Sequence, residues 1–149
     1  MSAAAPRGPQ VGDVLHLHID GGSRGNPGDA GFGVYVTRPD GTLVAELYGF
    51  LGRATNNVAE YQALLHGLRY ALEHGVRRVL VFSDSELVVR QIAGAYRVKH
   101  PAMIPLHREA LALMRQFEEV RVTHVRREQN KEADALANRA LDEKASKLD

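Results

Sequence analysis

The sequence predicts an α/β fold: a five-stranded mixed sheet, three antiparallel strands then two helix-linked parallel strands, with helices on both faces. Three observations carry this. After a proline-rich start, apolar residues alternate with period two and are broken only by short turn segments. A helical period sets in after Asn57. Two short apolar runs then each stand between helical stripes.

The elements follow in order. From Val14 to Asp20, Leu15, Leu17 and Ile19 share one face and His16, His18 and Asp20 the other, as on a strand. Gly21 to Gly28 (GGSRGNPG) is dense in residues that permit unusual backbone angles and reads as a turn. Phe32 to Thr37 and Thr42 to Phe50 are two more strands, joined through Pro39, Asp40 and Gly41 as a hairpin. Connections this short make the first three strands antiparallel neighbours. Tyr61, Leu64, Leu65, Leu68 and Leu72 then form one helical stripe, which an asparagine can cap at its start and Gly75 ends. Val79 to Ser83 is a continuous apolar strand of the kind buried in a parallel sheet. A second helix runs from Ser85 to Ala95, a loop from Tyr96 to Pro105 and a third helical stripe from Leu106 to Phe117. Val120 to Val125 is the last strand and Lys131 to Leu141 the last helix. Right-handed crossovers place the fourth strand beside the first, which creates a switch point where ligands gather. Asp20 and Asp84 would then end adjacent parallel strands at one edge.

The bulk numbers bound the function. A chain of 149 residues is one domain by the usual prior, long enough for a sizeable core. That domain is expected over residues 13–142, between a disordered N-terminal tail, 1–12, and a polar, frayed C-terminal tail, 143–149. With no cysteine there is no disulfide, thiolate metal site or thiol nucleophile. The formal net charge of +1 means that binding to nucleic acid would rest on a local patch and not on a global field. No apolar run approaches membrane-spanning length, and the start lacks the apolar centre of a secretory signal. The expected compartment is the cytoplasm.

Four acids are hard to explain structurally as a set: Asp20 at the end of an apolar strand, Glu60 on a helix, Asp84 where a strand stops, and Asp134 in an alanine-rich helix. Singly, each has an ordinary reading. Asp84 suits a helix N-cap, Glu60 a first-turn acid, Asp134 a solvated helix face and Asp20 the opening of a turn. Brought together, two carboxylates about 4 Å apart repel by roughly 4 kcal/mol at an effective dielectric near 20, so the cluster calls for a cation. Hard oxygen ligands without thiolate favour Mg²⁺ or Mn²⁺. Two such ions about 3.5–4 Å apart can activate water and stabilise a departing oxygen at a phosphodiester.

The motifs Asp20-Gly21-Gly22-Ser23-Arg24-Gly25-Asn26-Pro27-Gly28, Thr55-Asn56-Asn57-Val58-Ala59-Glu60, Ser83-Asp84-Ser85 and Asn130-Lys131-Glu132-Ala133-Asp134-Ala135-Leu136-Ala137 stand in this order. Over residues 13 to 142 the chain resembles type 1 ribonuclease H. The resemblance implies a ribonuclease H-like fold and cutting of the RNA strand in RNA/DNA hybrids, with 5′-phosphate and 3′-hydroxyl products. It also implies Asp20, Glu60, Asp84 and Asp134 as ligands of two Mg²⁺ (or Mn²⁺) ions. Asn26, Asn56 and the backbone of Gly22 to Arg24 would approach the minor groove, whose 2′-hydroxyls mark the RNA strand. Arg53 and Thr55 match positions that hold a phosphate of the DNA strand. By their local preferences, Thr55 and Asn56 equally read as a turn and helix cap.

The chain departs from many family members twice. The basic, tryptophan-rich protrusion is missing: Ala95 to Leu106 is short, its only basic residues are Arg97, Lys99 and His100, and the chain has no tryptophan. The histidine loop ahead of the last acid is compressed to Arg126, Arg127, Glu128 and Gln129, as in the family's histidine-lacking branch. His124 lies within the last strand and reads as structural or exposed, and Arg127 is the candidate to hold a product phosphate in place of the missing histidine. The His16/His18 pair has no third ligand at suggestive spacing. Competing readings are a DNA-only nuclease of the same superfamily, which would keep fewer of these motifs, and an inactive hybrid-binding module, which would have lost a carboxylate. Double-stranded RNA is a conceivable secondary substrate, and a monomer is the expected state.

Overall fold

A computed structural model describes residues 9–10 and 12–148. The expectation of a disordered start therefore falls largely outside the described residues. The order is β1 (Val14–Arg24), β2 (Gly28–Thr37), β3 (Leu43–Ala54), α1 (Asn56–Glu73), β4 (Arg78–Ser83), α2 (Glu86–Ile92), α3 (Ile104–Met114), β5 (Glu119–His124) and α4 (Lys131–Glu143). The five strands form one sheet in the order β3-β2-β1-β4-β5. β1 pairs antiparallel with β2, and β2 with β3; β4 pairs parallel with β1, and β5 with β4. The crossover through α1 thus puts β4 beside β1, as the strand pattern predicts.

The two faces carry different cores. Leu15, Leu17, Ile19, Val34, Val36, Val79 and Val81 are buried in one cluster with Tyr61, Leu64, Leu65 and Leu68 of α1. On the other face α4 lies over β2, where the strand has glycine instead of side chains. A Cβ at Gly33 would come within 2.4 Å of the Ala133 carbonyl oxygen, and one at Gly31 within 3.2 Å of Leu141 Cγ. Tyr48, Leu136 and Ala140 form the small cluster under this helix.

Several boundaries differ from the sequence reading, each for a local reason. The stretch from Gly21 to Gly28 is mostly strand: β1 continues to Arg24, and Gly21, Gly22, Ser23 and Arg24 pair with Phe32, Gly31, Ala30 and Asp29. Only Gly25, Asn26 and Pro27 turn, with Gly25 at φ +90°. Gly21 is instead needed for close approach, because a Cβ there would sit 2.3 Å from the Ala59 carbonyl carbon of α1. β3 extends to Ala54 past a bulge where Ala30 faces Gly52 and Gly31 faces Phe50. α3 begins at Ile104 because Pro105 fits a first helical turn, where no intrahelical N–H is needed. It is Ser85, rather than Asp84, that caps α2: its side chain accepts the Val88 N–H at 3.3 Å. Nor does the C-terminal tail fray: Lys147 and Tyr48 exchange backbone hydrogen bonds of 2.9 and 2.7 Å, and Ser146 Oγ accepts the Phe50 N–H at 2.9 Å.

Candidate active site

The parallel pairing of β1 and β4 aligns Ile19 with Ser83, so Asp20, within β1, and Asp84, just past β4, stand side by side where that pairing stops. Glu60, in the second turn of α1, reaches this edge from the helical side, and its Oε1 accepts the Gly21 N–H at 2.7 Å. One carboxylate oxygen each from Asp20, Glu60 and Asp84 lies within 4.8 Å of the others. Asp20 and Glu60 are each 8% exposed. Asp134, in the first turn of α4, stands outside this trio but touches Asp20, and with Asp20 and Asp84 it lines an open cleft of about 460 Å³.

The electrostatics follow from burial and crowding. The Asp20 carboxyl is pushed up to about 8, first by burial and then by the charge of Asp84 and contact with Asp134. Glu60 is raised well above the ordinary range by burial and by Asp20 and Asp84, against the pull of the Gly21 N–H. Asp84 is raised by burial, while a hydrogen bond with Asp20 and the Arg127 guanidinium draw it back. Carboxylates crowded in this way disfavour simultaneous ionisation, which a shared proton would relieve. This all-oxygen donor set, half of it buried and open to a cleft on one side, fits a hard divalent cation, which would relieve the crowding without a shared proton.

The expected substrate-binding residues fare unequally. Asn56 lines the cleft, and its Oδ1 accepts both Ser23 N–H at 2.7 Å and Ser23 Oγ at 3.1 Å. Asn26 Oδ1 accepts the Asn56 N–H at 3.2 Å. Thr55 is the N-cap of α1, its Oγ1 accepting the Val58 N–H at 3.2 Å. Asn26 and Asn56 therefore tie the β1–β2 turn to the start of α1, which Thr55 caps. Arg53 is exposed near the end of β3, opposite Asp29 and outside the cleft lining, whereas Arg127 lines the cleft beside Asp84. His124 ends β5 opposite Ser83 and lines a separate hollow with Glu86 and Arg90.

Three contributors escaped the sequence reading. Arg24 is a second cation of the cleft, bonded to Asp142 at 2.6 Å. Asn138 Nδ2 donates to Asp134 Oδ2 at 3.4 Å. Asn130 Nδ2 donates to the Ile19 carbonyl at 2.8 Å, directly before Asp20. For Asn138, the spacing of four from Asp134 on a helix was the available signal; the other two contacts cross elements distant in sequence.

A mixed sheet that collects acids where the parallel pairing of two strands stops, closed by a fourth acid from the last helix, defines the ribonuclease H-like class. The comparisons agree. The family model described as reverse transcriptase-like matches residues 18–140. The ribonuclease HI of Halobacterium salinarum is 42% identical over 91% of this chain and 68% of its own; the crystal structure of RNase H1 from this archaeon aligns with TM-score 0.84 over 87% and 98% of the two chains. The N-terminal RNase H domain of a Mycobacterium tuberculosis protein aligns with TM-score 0.85 at 45% identity over 88% and 95%. LC11-RNase H1, solved in complex with RNA/DNA hybrid, aligns with TM-score 0.83 at 38% identity over 87% and 98%. This chain belongs to the type 1 ribonuclease H family of enzymes. It spans 35% of the length of the first mycobacterial relatives, including the bifunctional protein of M. tuberculosis, at 47% identity.

Proposed function

We propose that this chain is an endonuclease that hydrolyses the RNA strand of RNA/DNA hybrids as a monomer, leaving 5′-phosphate and 3′-hydroxyl ends. The observation that carries the reading is the trio Asp20, Glu60 and Asp84, with carboxylate oxygens within 4.8 Å of one another at the edge of an open cleft. Asp20, Glu60, Asp84 and Asp134 would hold two Mg²⁺ or Mn²⁺ ions, which supply charge neutralisation and a water nucleophile at neutral pH. The chain's own residues do the rest. The Gly21 N–H orients Glu60, and the sheet register holds Asp20 beside Asp84. Arg127, which lines the cleft beside Asp84, would attract a product phosphate, with a guanidinium that binds such an oxygen but does not shuttle protons near neutral pH. Asn56 and the strand edge from Gly22 to Arg24 form the side of the cleft that would meet the wide minor groove, where the RNA 2′-hydroxyls lie.

One assay tests this. Hybrid, RNA, DNA and singly ribo-substituted DNA duplexes are incubated with the protein in Mg²⁺, Mn²⁺, Ca²⁺ or EDTA. The expected outcome is cleavage of the hybrid RNA strand in Mg²⁺ or Mn²⁺ and little in Ca²⁺, whose longer and looser coordination suits a tight two-ion site poorly. Robust cleavage in excess chelator would sink the mechanism, and cleavage confined to DNA would assign the chain to another branch of the superfamily. Cutting of the RNA duplex would add a secondary substrate.

A further inference from the structure

Asn130 occupies the N-cap position of α4, one turn ahead of Asp134. Asparagine is favoured there because its side-chain oxygen accepts an N–H left open by the first helical turn. This asparagine makes no such bond. Its Nδ2 donates to the Ile19 carbonyl at 2.8 Å, its own backbone carbonyl accepts the Asp134 N–H at 3.1 Å, and its Oδ1 is buried with no hydrogen-bond partner among the described residues. At 1% exposure, Asn130 thus forgoes a cap and leaves a buried acceptor unpaired, two arrangements that work against stability. Local rules broken in this way concentrate where function sets the geometry.

What the arrangement achieves is a brace between two acids. The other cluster members have their own supports: Asp20 and Asp84 share the sheet register, and Glu60 is held by the Gly21 N–H. Asp134 arrives on a helix that packs closely on Gly31 and Gly33 of β2, and its side-chain partner Asn138 is exposed. Asn130 joins that helix to the backbone immediately before Asp20. We propose that Asn130 is a positioning residue of the carboxylate cluster, whose amide sets the spacing of Asp20 and Asp134 and with it the affinity of the cluster for a divalent ion. The proposal rests on reading the cluster as an ion site.

The test is Mn²⁺ binding to the whole chain, measured by calorimetry or by the loss of free Mn²⁺ signal in electron paramagnetic resonance, beside thermal melts in EDTA. Asn130→Ser supplies a cap-forming hydroxyl but is too short to reach Ile19; Asn130→Ala removes both. Partners that orient metal ligands change affinity by about 10–100-fold when removed, and both variants should weaken Mn²⁺ binding within that range. The serine variant should do so while melting at or above the wild-type temperature. Leu68→Ala, a core truncation on α1, controls for destabilisation and should keep wild-type affinity well below its melt. Wild-type Mn²⁺ affinity in Asn130→Ser, or failure of both Asn130 variants to fold, would overturn the proposal and leave Asn130 a structural residue. Absence of Mn²⁺ binding by the wild type would instead refute the ion-site reading itself.

Discussion

Asp84 is the residue at which charge and shape separate most cleanly. It follows β4 without capping α2, a task that falls to Ser85, so replacing it with asparagine removes charge with little loss of fold. An ion at a phosphodiester stabilises the transition state by several kcal/mol. Losing one of its ligands should lower single-turnover cleavage about 10³-fold, since each 1.36 kcal/mol is tenfold in rate. His124→Ala should keep most activity, because its side chain lines a hollow apart from the acidic cleft. A fall as deep as that of Asp84→Asn in a folded His124→Ala protein would show the cleft to be drawn wrongly. Asp20 gives the pH prediction. Its carboxyl stands near 3.8 when unfolded and about 8 in the metal-free fold. The folded form therefore holds a proton that the unfolded chain releases, and metal-free stability falls as pH rises from about 4 to about 8. Melts in EDTA across that range should show the wild type losing ground to Asp20→Asn, and Mg²⁺ should close the gap; parallel curves would refute the crowding.

At the scale of elements, the glycines decide how closely helices approach the sheet. Gly33→Ala would drive a Cβ to 2.4 Å from the Ala133 oxygen and 2.7 Å from the Ala137 nitrogen, both backbone atoms that cannot rotate away. Overpacking of this kind costs about 1–3 kcal/mol, and a rigid neighbour argues for the upper end. Gly67→Ala on α1 meets only side chains, Val34 Cγ1 at 3.3 Å first, and gains about 1 kcal/mol of helix propensity, so it should be near neutral. Urea unfolding of the two variants checks the contrast, and equal midpoints would refute it. These glycines also mark what the sequence could convey. Periodicity and turn signals brought out the five strands and four α-helices and, through the crossover rule, the neighbours β1 and β4, hence the meeting of Asp20 with Asp84, but not the short 3-10 turn Arg127–Gln129. Glycine signals a turn and a close approach alike, so Gly21 and Gly22 read as loop although they are strand. Serine and aspartate are both preferred caps, so Ser85 and Asp84 could not be told apart by residue type. The brace from Asn130 to Ile19 spans more than a hundred residues and leaves no local pattern.

For the molecule as a whole, the question is how a chain of formal net charge +1 would grip the polyanion proposed as its substrate. Part of its positive charge is spoken for locally: Arg24, Arg38, Arg69, Arg90, Arg121, Arg139 and Lys144 each pair with a carboxylate. The segment between α2 and α3 is short and holds no basic protrusion. Affinity for a duplex falls with salt by about 0.9 in log K per log unit for each phosphate neutralised, so the slope counts contacts. Measured on one hybrid, with Mg²⁺ replaced by Ca²⁺ to hold the substrate uncut, the slope here should be shallower than that of a relative carrying the protrusion. A hollow of about 420 Å³ lined by Tyr96, Arg97 and Arg108 is the surface with which an opposite result would be compatible. If the slope equals or exceeds the relative's, Arg97→Ala and Arg108→Ala should each flatten it by nearly one unit. If it is shallow from the outset, those substitutions should leave it unchanged, and affinity would then rest on the proposed minor-groove side of the cleft and on ions held at its base.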